Sequence, residues 1–389
     1  MKTLSSLLLV SLTIRVAAPL AAAPRRAVAA WPGIGGVSDV LLNVKVAAPV
    51  AAVAWPWNSE QPGSVLVFPK FIRGTFDDHL VSGQLVHART QLEISVVCPQ
   101  DATCGANQAV RLRAHWVCPG CTETSFDLTT TVGGTLYFNP EGVTAIGGAV
   151  TASVFPSNAT TTIPLPPCDR GYLMVWAIDG GDIAIKFDGL IGDAILHDID
   201  LSNPEIQAQS YNAIPIQAGD GVLNTGDPTD LNGDGNLDFD GNEYQMITGK
   251  IFGTVRYENL VGTSQVETDL TLLTLDVATN RSNPLTSVGL DFYDPNEGFV
   301  DAGTSFVCWR EQRLTDILAS LTTQSMGRKG LVVSTYAEQV DGSGITKPVT
   351  LLGLVETRES FVTVPAAHFR NFAYSLFHDG NPVATTFKP

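Results

Sequence analysis

The chain has 389 residues, 39 of them acidic and 23 basic, for a formal charge of −16. That surplus of carboxylates repels phosphate backbones, and no run of Lys and Arg reverses it locally, so nucleic acid is excluded as an expected partner while divalent cations are favoured. Charged residues are 16% of the chain against the roughly 25% usual for soluble domains, which fits an exported β-protein better than a cytosolic helical enzyme.

The N-terminus reads as a targeting segment. Lys2 supplies a positive start, Leu7–Ile14 an apolar stretch, and Ala27-Val28-Ala29 a small-x-small cleavage site, giving a signal peptide over residues 1–29. Arg15, Arg25 and Arg26 interrupt this pattern, and Ala52-Val53-Ala54 offers a second site. Residues 30–62, with Trp31-Pro32-Gly33 and Trp55-Pro56-Trp57, read as a leader or linker whose tryptophans could stack on sugars. No later stretch has the ~20 uninterrupted apolar residues of a spanning helix. The expected location is therefore outside the cytoplasm: extracellular, at the cell surface or in the periplasm.

Period-2 alternation begins near Val65. In Thr90–Cys98, Leu92, Ile94, Val96 and Cys98 share a face, and in Val110–Cys118, so do Val110, Leu112, Ala114, Trp116 and Cys118; the two are expected to pair antiparallel. Further strands are predicted at Phe126–Val132, Tyr172–Ile178, Ile183–Phe187 and Ala213–Gln217, with Asp179-Gly180-Gly181-Asp182 as a tight turn. The pattern resumes at Ile247–Tyr257, Thr268–Val277, Val288–Tyr293, Ser305–Arg310, Leu331–Ala337 and Val349–Val355, with a last hairpin around Asp379-Gly380. Leu314, Ile317, Leu318 and Leu321 have helical spacing and predict one short helix ending before Gly327. The length suits two domains of about 150 residues. The expected fold is all-β: two β-sandwich-like (Ig-like) domains over 63–218 and 244–389, one short helix, and an Asp/Gly-rich loop inserted at 219–243.

Six cysteines fit an oxidising compartment. Spacing favours local bridges between Cys98 and Cys104 and between Cys118 and Cys121, leaving Cys168 and Cys308 for a long-range bridge. The alternatives place zinc on Cys118 and Cys121 with His115 and Cys98, although no second CxxC follows, or make Cys118 and Cys121 a redox pair.

The sharpest chemical signal is Asp230-Leu231-Asn232-Gly233-Asp234-Gly235-Asn236-Leu237-Asp238. Calcium takes six to eight oxygens, and alternating side chains on a coiled loop deliver them. Asp230, Asn232 and Asp234 occupy loop positions 1, 3 and 5, with Gly235 at the sharp bend. Asn236 offers a carbonyl, Leu237 an anchor to the core, and Asp238 a ninth-position ligand. The stretch resembles the calcium loops of EF-hands, dockerins and thrombospondin-type repeats, which implies calcium as cofactor. It departs from the EF-hand pattern at position 12, where Gly241 replaces the bidentate Glu, so Asp240 or Glu243 would close the site. No partner loop is evident, and strand rather than helix follows, so the expected ion is a free-standing structural one. The competing reading is a solvated Asp/Gly-rich loop that binds nothing.

Asp188 and Asp193, followed by His197, Asp198 and Asp200, could form a carboxylate pair for glycoside hydrolysis or a metal cluster, but turn aspartates and strand-edge charges explain the same letters. No GxSxG, HExxH or GxxxxGK[ST] motif occurs. The whole chain resembles uncharacterised exported bacterial proteins whose mature part opens with an apolar strand such as Val65-Leu66-Val67-Phe68-Pro69-Lys70, a likeness that implies no activity. The expectation is a secreted or surface-displayed, calcium-stabilised, non-enzymatic structural or adhesive protein, its partner a second copy or a surface polymer. The alternatives are a secreted polysaccharide-binding protein or glycoside hydrolase, and an exported zinc or redox protein using Cys118 and Cys121. A planar aromatic platform in the fold would favour polysaccharide binding.

Overall fold

The alternating apolar residues form strands: the described residues are about 61% strand and 4% helix, mostly in antiparallel sheets, so the fold is all-β. The structure is a computed structural model that describes residues 60–77, 85–141, 149–201, 206–219, 226–262, 264–363 and 366–389. The signal peptide and nearly all of the Pro/Ala/Trp-rich leader lie outside these residues.

In the first half, two groups of strands face each other. Ala109–Val117, Glu123–Thr131, Arg170–Ile178 and Ile214–Ile216 belong to one, and Leu85–Val96, Thr135–Phe138, Ala149–Phe155, Ala159–Pro164, Leu190–Asp200 and Ile206–Asn212 to the other. The strand Val65–Asp77 belongs to both: Val65–Phe68 pairs with 173–176, and Arg73–Asp77 with 85–89. Its register breaks between Phe68 and Phe71, around Pro69, which has no N–H to give a ladder. Leu92, Ile94 and Val96 from one group and Leu112, Trp116 and Val175 from the other fill the core between them.

Arg170–Ile178 is buried along almost its whole length. Its second face, with Val65, Val67, Tyr172, Met174 and Trp176, packs against Leu237, Phe239, Tyr244, Leu273, Leu352 and Phe387 from the second half. A second cluster lies within the second half, and a third lies in the first half apart from Leu354, which reaches into it from the second half. In the second half a six-stranded sheet (Ile247–Val255, Thr286–Tyr293, Phe299–Phe306, Gly330–Val340, Thr346–Pro348, Phe377–Val383) covers a four-stranded one (Ser264–Leu273, Trp309–Arg313, Leu352–Thr363, Ala366–Ser375). Ile251, Leu270, Leu272, Leu290, Phe292 and Val332 lie between them.

Several local expectations are corrected. The strands near 90–98 and 110–118 do not pair, because Arg170–Ile178 and Val65–Asp77 lie between them; alternation specifies a buried face and not a neighbour. Ile183–Phe187 makes only isolated bridges, at Ala184 and Ile185. Ser305–Arg310 is broken at Cys308, which takes a φ of 63°. Asp379-Gly380 is no hairpin but a bulge inside Phe377–Val383, with Gly380 at φ 89° where the register against Thr248–Lys250 slips. The single helix is two four-residue turns, Leu314–Ile317 and Thr323–Met326, separated by extended Leu318. The carboxylate of Glu258 accepts the Thr315 N–H and hydroxyl, and its carbonyl accepts Thr323 N–H, so the chain is stretched across that residue.

The disulfides are also corrected. Cys98–Cys104 forms as expected, but Cys118 bonds Cys168 and Cys121 bonds Cys308. The turn Pro119–Cys121 has positive φ at Gly120 and Cys121, and it directs the two sulfurs to different partners. No free cysteine remains, so the zinc and redox alternatives lose their thiols. Three disulfides fit an oxidising, exported environment. Among the described residues no helix is long and apolar enough to cross a membrane.

Cys121–Cys308 closes a sequence separation of 187 and Cys98–Cys104 one of only 6. Loop-closure entropy therefore predicts that Cys121→Ala/Cys308→Ala lowers unfolding free energy by about 2–5 kcal/mol, and Cys98→Ala/Cys104→Ala by clearly less. Denaturant melts of the two double variants check the order.

Candidate functional site

The loop at Asp230–Glu243 is anchored from below. Leu237–Phe239 pairs with Thr385–Lys388, and Leu237, Phe239 and Tyr244 are buried in the shared cluster, which places Leu237 as the sequence analysis expected. Around Gly233 and Gly235, both at positive φ, the backbone curls so that its amides point at side-chain oxygens. Asp230 Oδ1 accepts Gly233 N–H (2.7 Å) and Asp234 N–H (3.2 Å), and Oδ2 accepts Gly235 N–H (2.9 Å). Asn232 Oδ1 accepts Asp234 N–H, and Asp234 Oδ1 accepts Asn236 N–H. Asp238 accepts the Asn232 amide on one oxygen and the Thr386 hydroxyl on the other.

Glu243, 3% exposed, closes the loop from inside: Oε1 accepts Leu231 N–H (2.8 Å) and Oε2 accepts Asp238 N–H (3.3 Å). Burial raises its carboxyl, and those amides only partly offset the rise. Burial alone would raise Asp240 too, but bonds from the Asn242 side chain and amide outweigh it and hold the group below the usual carboxylate range. Glu243 thus sits at the centre of the loop and Asp240 at its margin. Among the described residues no three His, Cys, Asp or Glu side chains converge as a ready metal cage, so a cation here would draw on the Asn232 and Asn236 oxygens and on backbone carbonyls as well.

Beside the loop lies a polar cavity of about 620 Å³, lined by Asp230, Gly235 and Asn236 on one side and by Arg113, His115 and Asp182 among others on the opposite sheet. His115 is stacked on Trp176 at 4.8 Å and buried to 3% exposure. Its Nδ1 lies 2.6 Å from Glu123, at an angle that leaves neither imidazole nitrogen in a directed hydrogen bond. Arg113 is tied to Asp127 and Asp182, whose bonds raise it. The remaining sequence candidates are not assembled into a site. Asp188 accepts the Ser64 hydroxyl and Ala218 N–H, and is raised by burial; Asp193 is raised by burial and then by Glu93. His197 lies on the same strand and is lowered by burial and by Arg89.

Two constellations escaped the sequence reading. One is an ionic seam between the halves. Lys70 (2% exposed) pairs with Glu311 and Glu356 and Arg358 with Glu267 and Asp269 in the interior, and the part-exposed Arg170 reaches Glu311 from the rim. Glu267 is pushed up to about 8, first by burial, against Arg358 and with Asp269. A sequence signal existed: Glu267, Asp269 and Glu356 alternate with buried Val266, Thr268, Leu270, Val355 and Thr357, and two-sided burial turns the charged face inward as well.

The other is the outer face of the six-stranded sheet. Register places Asp301, Asp291, Val333, Phe252 and Phe377 in one row across five strands, with Phe299 and Tyr293 opposite each other in the next. Phe299 stacks on Tyr293 and Phe377 on Phe252, each at 5.4 Å, while Tyr336 lies over Gly289. Phe299, Tyr336 and Phe377 are 54%, 47% and 61% exposed, so large rings face solvent instead of the core. Burial and the bond and charge of Asp301 raise the Asp291 carboxyl.

No known protein family matches the chain, and no curated protein is similar enough to align with it. The class these features define is therefore that of an all-β, disulfide-bonded protein with a polar interior seam.

Glu267 titrates at about 4.5 in an unfolded chain and holds its proton to about 8 in the fold. Its contribution to stability is thus full below about 4.5 and is lost as pH rises to about 8. Melting temperature between pH 5 and 9 should fall with rising pH more steeply in the wild type than in Glu267→Gln; equal slopes would remove Glu267 as the cause.

Proposed function

We propose that this is an exported, non-enzymatic adhesive or structural protein, ordered by calcium at Asp230–Glu243, whose contact surface is the aromatic outer face of the six-stranded sheet and whose ligand is an uncharged surface polysaccharide. The observation that carries the reading is the exposure of Phe299, Tyr336 and Phe377 on one face. Aromatic rings offer apolar surface to the C–H faces of pyranoses. Asp291 and Asp301, next to the Tyr293–Phe299 pair on the same two strands, accept hydrogen bonds from hydroxyls. The row crosses five strands, roughly 19 Å at about 4.8 Å per strand, which is room for several sugar units. A second copy of the chain would bring aspartates against aspartates on this face, and anionic polymers meet the same repulsion.

The calcium part rests on chemistry of a different kind. Asp230, Asp234, Asp238, Asp240 and Glu243 gather within 14 residues that hold no Lys or Arg, and the loop is seated on the cluster shared by the two halves. An ion there would order that junction at the modest affinity of extracellular modules, about 10⁻⁴–10⁻³ M.

Retention on insoluble β-glucan or chitin is expected for the wild type and lost in Phe299→Ala/Phe377→Ala, with both proteins equally folded by circular dichroism; retention that survives the double substitution rules this face out. Separately, calcium at a hundredfold excess over its dissociation constant should stabilise the wild type by about 2.7 kcal/mol. Asp230→Ala/Asp234→Ala should lose that gain. Identical melting of the wild type in calcium and in chelator would remove the ion.

A further inference from the structure

Lys70 is the buried lysine of the described residues, and its amine is enclosed by acyl groups and by groups that polarise them. Its Nζ contacts Glu311 on Trp309–Arg313 and Glu356 on Leu352–Thr363. The other oxygen of Glu356 accepts the side-chain amide of Gln209, itself 5% exposed, and the other oxygen of Glu311 accepts Arg170 at 2.8 Å. Tyr211, 3% exposed, donates to the Lys70 carbonyl and fixes the backbone from which the amine projects. Lys70, Gln209 and Glu356 come from three different strands, and each is held before any reaction begins.

We propose that Lys70 and Glu356 condense into an intramolecular amide, with Glu311 as the base that takes the ammonium proton and Gln209 as the donor that holds the developing oxyanion. The inference is independent of the polysaccharide and calcium readings. The step begins with transfer of a proton from Lys70 Nζ to the Glu311 carboxylate, which turns two desolvated charges into two neutral groups. Glu311 passes that proton on to Glu356 Oε2, the freed lone pair forms the N–Cδ bond to the carboxyl group so made, and the π pair moves to Oε1, where Gln209 donates. The C–Oε2 bond then breaks. Its hydroxyl leaves with one proton as water, and the nitrogen retains one hydrogen in the amide. One water is released, and nothing is oxidised or reduced.

The charge states around the seam suit these roles. Burial opposes the negative charge on both acids, but Lys70 and Arg170 outweigh it at Glu311 and hold that group ionised, while Glu356 remains raised. In the resting pair Lys70 is held cationic, its attraction to Glu311 and Glu356 overcoming burial, so the reactive amine is reached only through the transfer to Glu311. Fixed proximity supplies an effective concentration of about 10⁵–10⁸ M in well-oriented intramolecular reactions. Exclusion of water from the seam removes the reverse reactant. The bond would join residues 286 apart, tying the first half to the four-stranded sheet at the middle of the interior.

Intact mass spectrometry of the purified full chain tests this, with peptide mapping after reduction. The expected result is a chain lighter by one water than its sequence, and a branched peptide joining the Lys70 and Glu356 segments. Lys70→Arg keeps the cation and should show the full mass, as should Glu311→Gln. Glu356→Gln should lose ammonia in place of water. A full, unshifted mass in wild-type protein whose three disulfides are formed overturns the proposal, as does a water loss that persists in Lys70→Arg or a branch at Glu311.

Discussion

The four-stranded sheet is covered on both sides, by the six-stranded sheet on one and by the first half of the chain on the other. That second side carries Glu267, Asp269, Glu311, Glu356 and Arg358, which cannot be left in an apolar interior alone. Removing one partner of a buried ion pair costs about 3–5 kcal/mol, because the other is stranded. Lys70 and Arg170 from the first half supply the counter-charges. The two halves are therefore complementary in charge as well as in shape, and their docking is specific: slippage by one residue would turn Glu356 or Lys70 to the wrong face. The Cys121–Cys308 bond and the cluster around Tyr172, Tyr244 and Phe387 hold the same junction at its other end.

The Asp/Gly-rich loop stands at that apolar end. Glu243, bound to the amides of Leu231 and Asp238, draws the loop shut over Leu237 and Tyr244. Order in the loop and packing between the halves are thus linked through the same side chains. The aromatic face lies elsewhere, on the side of the six-stranded sheet that points away from its core.

Much of the strand content was legible because alternation follows directly from the pleat. Tyr172–Ile178 was found as a strand, and its unbroken burial explains why it reads as a continuous apolar run. The anchor role of Leu237 was also legible, since one apolar residue among acids has few other places to go. Strand neighbours were not. The segments near 90–98 and 110–118 have matching alternation, yet two other strands lie between them. Pairing of Cys118 and Cys121 failed for a related reason: a CxxC turn can point its sulfurs together or apart, and positive φ at Gly120 and Cys121 decided it.

By itself the sequence determined an all-β chain, an even set of cysteines suited to oxidation, and an Asp/Gly-rich acidic loop anchored by Leu237, because each depends on residues close together in the chain. Only the tertiary structure decided which cysteines bond and which strands touch. It alone placed a lysine at position 70 among carboxylates from residues 311 and 356, and exposed aromatics on a single face. Those outcomes depend on which side of a strand is covered a second time, and a period of two cannot encode that.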